Sequence, residues 1–297
     1  MTIITGQRHR VVVVHRRTEL DELMDRHATR GQVEFFLASR GRALADVQDR
    51  HDAITQARRR LVSGIPEDWA VAQVEREDLS RFLFAPEDTI VAVGQDGLVA
   101  NVAKYLAGQL VVGVNPEPGV NPGVLVRHDI ADALSLLTDP SRTRVADLTT
   151  VAVRTDTGQT LIGLNEVFIG HPSHQSARYT LGTPRGNERQ SSSGVIVGTG
   201  TGSTGWCASL AHDRSITDLP APTDPQLAWF VREAWPSRAT GVSLTAGQLA
   251  PGEMLTVRVE SDELVAFGDG IESDRLEVSW GQELAVERGS TPVRLAL

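Results

Sequence analysis

The sequence predicts two domains of different fold class, an α/β domain with a parallel sheet over residues 1–125 and a mostly antiparallel β domain over residues 126–285. Strand-like and helix-like segments alternate as far as about residue 115, which is typical of a parallel α/β sheet. Short strands separated by turn residues follow. Proline, glycine and asparagine concentrate at 114–124 and indicate a link between the domains. The C-terminal residues 286–297 could return to the first domain.

The first domain begins with a buried strand, because "RVVVVHRR" at 10–17 contains four consecutive valines. A helix is predicted next, with Thr18 as its N-cap. A longer amphipathic helix then ends at Gly64. Its apolar stripe consists of Leu44, Val47, Ile54, Ala57 and Leu61.

Three further strands and two helices complete this domain. The strands lie in "WAVAQVER", "DTIVAVG" and "QLVVGV"; the helices lie in "LSRFLF" and after "VAVGQDG". The second domain opens with the short helix "DIADALSLL". A hairpin around "DTGQ" follows. The remaining strands are predicted in "ARYTL", "GVIVGT", "MLTVRVES", "ELVAFG", "RLEVSW" and "ELAVERG".

Net charge, cysteine content and the length of apolar runs indicate which partners and which location to expect. The chain has 297 residues and a formal net charge of −9, which disfavours nucleic acid and anionic membranes as partners. Cys207 is the one cysteine, so no intrachain disulfide forms, as suits a cytoplasmic protein. The N-terminal apolar run is shorter than that of a signal peptide, and no run has the length of a membrane span. We therefore expect a cytoplasmic protein.

The segment "VAVGQDGLVANVAKYL" joins a strand to a helix through Gly94, Gln95, Asp96 and Gly97. At the carboxyl end of a parallel strand, backbone amides and a helix N-terminus form a natural phosphate site. A carboxylate beside phosphates serves as a general base or a metal ligand, which makes Asp96 the candidate catalytic residue. The alternative interpretation is a glycine-rich turn in which Asp96 caps the helix.

Two polar side chains follow Gly97 on the same predicted helix. Asn101 and Lys104 share its face by i+4 and i+7 spacing. Lys104 is the chain's single lysine, and we expect it to supply a supporting charge to bound phosphate; a structural cap or ion pair is the alternative.

A second glycine-rich loop follows the strand pattern "GVIVGT". Its glycines allow close backbone approach, and its hydroxyls suit a ribose or phosphate. The candidate nucleotide-binding residues are Thr199, Thr201, Gly202, Ser203, Thr204, Gly205 and Trp206, with Ser209 one turn further on. A flexible loop is the alternative.

The apolar segment "LNEVFIG" places Asn165 and Glu166 inside a predicted strand. Alternation turns one of them inward, where it needs a polar partner such as a ligand with vicinal hydroxyls or the backbone. "HPSH" at 171–174 has no third metal ligand nearby, so a solvated loop is preferred and no metal-ligating residue is assigned. Asp269–Gly270 is explained by a hairpin turn.

Taken in order, these motifs resemble the NAD kinase family, within the superfamily that includes diacylglycerol and sphingosine kinases. The matching segments are "GQDG" (94–97), "GVN" (113–115), "NE" (165–166), "TGTGSTGW" (199–206) and "DG" (269–270). The match spans roughly residues 89–290. The resemblance implies an α/β domain followed by a mostly antiparallel β-sandwich domain.

The resemblance also implies an activity: ATP with a divalent metal, usually Mg²⁺, or polyphosphate, donates a phosphoryl group to the 2′-hydroxyl of the NAD adenosine ribose. Asp96 matches the acid that activates this hydroxyl. The phosphate-loop and strand-end residues of the match are Gly94, Gln95, Gly97 and Asn115. Asn165 and Glu166 match residues that hold NAD, and Thr204, Gly205, Trp206 and Ser209 match adenine-nucleotide contacts. Homodimers or homotetramers are common in the family.

Several departures from the family pattern lie around these nucleotide contacts. They are Gln95 for glycine, Leu98 for threonine, Ser193 for aspartate, Gly200 for proline and Trp206 for tyrosine. They leave open a kinase with another small-molecule acceptor, lipid being the least favoured, and a nucleotide-binding regulator without turnover. An oxidoreductase is disfavoured, because no Gly-x-Gly-x-x-Gly follows the first strand.

Overall fold

The computed structural model describes residues 9–119, 123–139 and 143–297, and these form two compact units. The first comprises the described residues up to Val145 together with Arg294–Leu297, and the second is Ala146–Val293. Residues 1–8 and part of the predicted 114–124 link lie outside the described residues. The predicted fold class, α/β followed by antiparallel β, is confirmed.

The helices and strands have the following bounds. The helices are α1 (Glu19–His27), α2 (Arg30–Ala38), α3 (Leu44–Gly64), α4 (Asp96–Ala103), α5 (Ile130–Thr138) and α6 (Trp206–Asp213). The strands are β1 (Arg10–His15), β2 (Ala70–Glu75), β3 (Thr89–Val93), β4 (Leu110–Val114), β5 (Val145–Leu148), β6 (Val151–Thr155), β7 (Thr160–Gly163), β8 (Glu166–Gly170), β9 (Ala177–Thr183), β10 (Gly186–Ser192), β11 (Gly194–Gly198), β12 (Leu227–Arg232), β13 (Ala246–Leu249), β14 (Leu255–Val259), β15 (Glu263–Gly268), β16 (Leu276–Ser279), β17 (Glu283–Arg288) and β18 (Val293–Ala296).

In the first unit, the described strands β2-β1-β3-β4-β18 lie side by side in this order. β1 pairs in parallel with β2 on one side and β3 on the other, and β4 is parallel to β3 and β18. The chain leaves β1 towards β2 and then returns to the opposite side of β1. The carboxyl ends of β1 and β3 therefore flank a topological switch point, the place where open α/β sheets bind ligands.

Helix boundaries in the first unit follow local chemistry. The predicted cap at Thr18 is confirmed as a capping box, in which Thr18 and Asp21 satisfy each other's backbone amides. The predicted first helix is two helices, because Ala28 adopts a left-handed φ of 59° between them. The stripe of α3 is confirmed, with Val47, Ala57 and Leu61 buried.

The division between the units falls after Val145, beyond the boundary expected at residue 125. Two contacts keep the intervening chain in the first unit. His128 forms a parallel bridge with Val114 of β4, and Ala133 and Leu137 of α5 are buried in the core formed by β1, β3 and β4. The C-terminal strand β18 pairs in parallel with β4, within the sheet that contains β1 and β3.

The second unit is a β-sandwich. Its described strands form two sheets, in the orders β10-β9-β14-β17-β6-β7 and β13-β12-β11-β8-β15-β16. One core, which includes Tyr179, Val195, Trp229 and Val257, lies between them. Three strands, β10, β12 and β13, were not predicted from the sequence. β10 is polar, so no apolar pattern marks it. β12 is a continuous apolar run, which is typical of a buried strand and could have been recognised. α6 packs on the outer side of the second sheet through Cys207 and Ala211.

In the part of the chain that the structure describes, no helix combines the length and the apolar character needed to cross a bilayer.

Candidate functional site

Asp96 lies in the loop that follows β3, as the first residue of α4. Its Oδ1 accepts hydrogen bonds from the backbone amides of Val124, Leu125 and Val126 at 3.0, 2.8 and 3.0 Å, and its Oδ2 accepts one from Val124 at 2.9 Å. Three successive amides therefore fix the carboxylate. Among the described residues, Oδ2 accepts this one hydrogen bond, so it retains acceptor capacity for a proton or a cation.

The "GVN" segment explains why residues 124–128 reach Asp96. A Cβ atom at Gly113 would lie 2.0 Å from the carbonyl oxygen of Leu125, so only glycine permits this approach to β4. The amide of His128 donates to the carbonyl of Gly113 at 3.1 Å, and the amide of Asn115 donates to that of His128 at 2.9 Å. Gly113 and Asn115 thus seat the segment that orients Asp96.

The amides of the "GQDG" loop divide into two groups. The Gly94 amide donates to the carbonyl of Val114 at 3.0 Å, so it ties β3 to β4 and is not available to phosphate. Gln95, Asp96 and Gly97 begin α4, where a helix leaves N–H groups without an intrahelical acceptor. Gln95 and Gly97 are exposed, and nothing lies within 4 Å of a Cβ built on Gly97. These three amides are the part of the loop whose position suits an anion, since the N-terminus of a helix favours negative charge.

The other predicted phosphate residues of this unit have different positions. Asn101 is buried, and its Oδ1 accepts a hydrogen bond from Nε of Arg76 at 2.6 Å. Lys104 is the C-cap of α4, so its Cα lies about 12 Å along the helix from that of Asp96. Asn115 is buried and accepts from the Glu117 amide at 3.0 Å. The predicted phosphate-binding roles of Asn101 and Lys104 stay predictions, and the described contact of Asn101 is with Arg76.

In the second unit, Asp269 organises the turn that carries Asn165 and Glu166. Asp269 adopts a left-handed φ of 53°. Its carboxylate accepts from the amides of Leu164, Asn165 and Glu166 at 2.9, 2.7 and 3.3 Å, and its own amide donates to the Glu166 carbonyl. A hairpin turn was expected at Asp269–Gly270, and in addition the Asp269 side chain holds the 164–166 turn by hydrogen bonds. The placement of Asn165 inside a strand is wrong, since β7 ends at Gly163 and β8 begins at Glu166.

Glu166 is the most perturbed acid of this turn. Burial, and secondarily the negative charge of Asp269, raise the pKa of Glu166 to about 7. A carboxyl group with this pKa both accepts and donates hydrogen bonds near neutral pH. In either state the group can form hydrogen bonds with hydroxyl groups of a ligand.

The glycine-rich loop 199–205 packs against the same turn. The Thr199 hydroxyl donates to the Leu164 carbonyl at 2.5 Å, and the Thr199 amide donates to that of Asn165 at 2.9 Å. A Cβ on Gly202 would lie 2.2 Å from the Asn165 carbonyl oxygen. The glycine is therefore required for loop and turn to meet.

Three of the four hydroxyl groups of this loop donate hydrogen bonds to backbone carbonyls, and the predicted ribose contacts stay a prediction. Ser203 donates to the Thr199 carbonyl, and Thr204 donates to that of Thr201. The exception is Thr201, whose buried Oγ1 has no hydrogen-bond partner among the described residues. Buried hydroxyls are nearly always paired, so this oxygen is the loop's strongest indication of a ligand contact.

Trp206 begins α6 at the end of this loop, while Gly205 and Ser209 are exposed. The Trp206 ring stacks on Phe168, with centroids 5.8 Å apart and planes at 13°, and the Arg232 guanidinium lies 5.2 Å from the Trp206 centroid. Together with Phe267 these side chains line a cavity of about 230 Å³. Sequence reasoning missed Phe168, Arg232 and Phe267, which lie on separate strands.

The chemistry of the site suits a cation held mainly by phosphate. Among the described residues, no three His, Cys, Asp or Glu side chains form a metal cluster. Mg²⁺ in phosphoryl-transfer sites is held by one or two carboxylates, substrate phosphates and water. Asp96, with its available Oδ2 lone pair, fits that limited role. His171 is bound locally instead, because its Nδ1 accepts from the Ser173 amide.

The described structure thus combines an α/β unit, in which Asp96 lies at the N-terminus of α4, with a β-sandwich in which Asp269 holds a polar turn. A scan against protein-family models and a search of curated proteins find no match to this chain.

Proposed function

We propose that this protein transfers a phosphoryl group from ATP or polyphosphate to the 2′-hydroxyl of the NAD adenosine ribose, giving NADP. The observation that supports it best is the orientation of Asp96 by three backbone amides beside the helix N-terminus at a topological switch point. A fixed carboxylate next to an anion site is what phosphoryl transfer to a hydroxyl requires. The choice of NAD as acceptor rests on the motifs, which occur in the same order as in NAD kinases.

In this mechanism Asp96 Oδ2 takes the proton of the ribose hydroxyl. The hydroxyl oxygen then bonds to the terminal phosphorus of the donor, and the bond to the leaving phosphate oxygen breaks. The amides of Gln95, Asp96 and Gly97 hold donor phosphate oxygens. Mg²⁺, when bound, neutralises phosphate charge.

The acceptor is assigned to the second unit. Glu166 and Asn165 hold ribose hydroxyls, and Thr201 supplies a hydroxyl from the glycine-rich loop. The raised pKa of Glu166 supports this, because its carboxyl group donates as well as accepts near neutral pH. Cytoplasmic location and assembly as a homodimer or homotetramer belong to the same proposal.

The test is NADP⁺ formation by purified protein with NAD⁺ and Mg²⁺, with ATP and polyphosphate as parallel donors. Asp96→Asn keeps the side-chain shape and removes the base, so the rate should fall by about 10²–10⁴-fold. Asp262→Asn, an exposed change in the second unit, is the matched control. A folded Asp96→Asn protein with wild-type turnover would contradict the assignment.

One observation favours a second candidate, a nucleotide-binding protein without turnover. Four amide hydrogen bonds already reach the Asp96 carboxylate, as expected of a structural acid. Calorimetry with NAD⁺ and ATP separates the two candidates, because a binding protein takes up either ligand and forms no NADP⁺.

A further inference from the structure

We propose that an arginine-lined cavity at the carboxyl ends of β1 and β2 binds an oligophosphate chain, either free or as the tail of a nucleoside triphosphate. Because this site would hold the phosphoryl donor, the proposal rests on the proposed function for its role, though not for its binding chemistry. The cavity has a volume of about 500 Å³ and lies entirely in the first unit. Ligand pockets commonly have volumes of about 300–1,000 Å³.

The charge of the cavity is opposite to that of the protein. Four arginines line it, Arg16, Arg17, Arg58 and Arg59, against two acids, Asp21 and Glu75. The whole chain carries a formal net charge of −9. A local excess of guanidinium groups in an acidic protein selects for an anion, and guanidinium forks match phosphate oxygens.

The arginines are not all engaged by acids. Arg17 forms an ion pair with Asp25, and its Nε lies 3.9 Å from Oε1 of Glu75. These two carboxylates largely neutralise the charge of Arg17. Arg16 makes a 3.4 Å contact with Glu22 in which both side chains are exposed, and such pairs contribute little. Arg58 donates a hydrogen bond to Nδ1 of His15 at 2.9 Å, and its guanidinium makes no other hydrogen bond among the described residues.

The position of the cavity links it to the phosphate loop. His15 at the end of β1 is in register with Glu75 of β2 and with Val93 of β3. Arg16 therefore leaves the sheet edge next to Gly94, one strand spacing of about 5 Å away. A chain of phosphates lying along this edge contacts the arginines at one end and the first-turn amides of α4 at the other.

The experiment is isothermal titration of the full chain with tripolyphosphate, with ATP and with adenosine, without NAD. Arg16→Ala and Arg59→Ala remove exposed side chains, so folding is not in question. Each should weaken tripolyphosphate and ATP binding about tenfold. Arg60→Ala is the matched control, since Arg60 is exposed on the same helix and does not line the cavity.

Saturable tripolyphosphate binding that is about tenfold weaker in Arg16→Ala and Arg59→Ala and unchanged in Arg60→Ala supports the site. If ATP binds more tightly than tripolyphosphate, the bound phosphates are the tail of a nucleotide. If the two affinities are equal, the ligand is free polyphosphate. Equal affinity in all three variants and wild type overturns the proposal. NADP⁺ formation with an unchanged KM for ATP in Arg16→Ala and Arg59→Ala also overturns it while the proposed function stands. If the two variants weaken tripolyphosphate binding but the wild-type protein forms no NADP⁺, the binding site is supported and the proposed NAD kinase activity is refuted.

Discussion

The carboxylate of Asp269 lies 2.7 Å from the backbone amide of Asn165, although the two residues are 104 positions apart in the sequence. Asp96 binds the amide of Leu125 in the same way at 2.8 Å. In both units an Asp-Gly pair follows a strand. The aspartate carboxylate accepts hydrogen bonds from three successive backbone amides of another loop. A carboxylate satisfies several such donors at once, so one residue holds a whole loop in place.

The first prediction concerns the stability of the 164–166 turn. Asp269→Asn replaces a charged acceptor by a neutral one and turns an amide nitrogen towards backbone donors. We expect the free energy of unfolding to fall by about 1–3 kcal/mol. Urea unfolding of the variant beside Asp262→Asn, an exposed acid on the same unit, measures this. Equal stability of the two variants would show that the carboxylate does not hold the turn.

The second prediction is a pH dependence that comes from Glu166. Its pKa is about 7 in the folded protein, against an ordinary value of 4.5. A raised pKa means that the folded state binds the proton more tightly, so this contribution to stability is full below pH 4.5 and is lost as the pH rises through about 7. Glu166→Gln removes it, and the melting temperature of the variant should rise relative to wild type between pH 5 and pH 8.

Thermal unfolding across that pH range checks this, with Glu263→Gln as the control because Glu263 is exposed on β15. A difference between Glu166→Gln and wild type that stays constant with pH would refute the assigned pKa.

The third prediction contrasts two glycines of the Asp96 site. Gly113→Ala forces a Cβ to within 2.0 Å of the Leu125 carbonyl oxygen, so we expect a loss of about 1–3 kcal/mol in unfolding free energy. Gly97→Ala meets no atom within 4 Å and lies in α4, so it should gain about 0.5–1 kcal/mol. Chemical denaturation of both variants measures the contrast, which a stable Gly113→Ala protein would contradict.

The fourth prediction concerns two threonines of the glycine-rich loop. Thr201→Val removes a buried hydroxyl that has no partner among the described residues. Unfolding free energy should therefore stay equal or rise by about 1 kcal/mol, while NAD affinity falls. Thr199→Val removes the hydrogen bond to the Leu164 carbonyl and should destabilise the protein. Denaturation and NAD titration of the pair check this; a Thr201→Val protein with unchanged NAD affinity would remove Thr201 from the ligand site.

Local patterns in the sequence predicted the strands and helices that bury a continuous or periodic apolar face. The valine run of β1 and the stripe of α3 needed no tertiary information, because burial of such faces is demanded by any fold. The order of "GQDG", "NE" and the glycine-rich loop likewise identified the segments around both Asp-Gly pairs.

Tertiary structure decided how those segments are used. The pairing of Asp96 with residues 124–126 and of Asp269 with residues 164–166 joins positions far apart in the chain, and no local period encodes such contacts. The same holds for Asn101, which spacing put with Lys104 but which packing buried against Arg76. The sequence by itself determined the fold class and the positions of the two candidate loops, since these depend on short-range patterns. Packing alone decided which polar groups hold the protein together and which remain for a ligand.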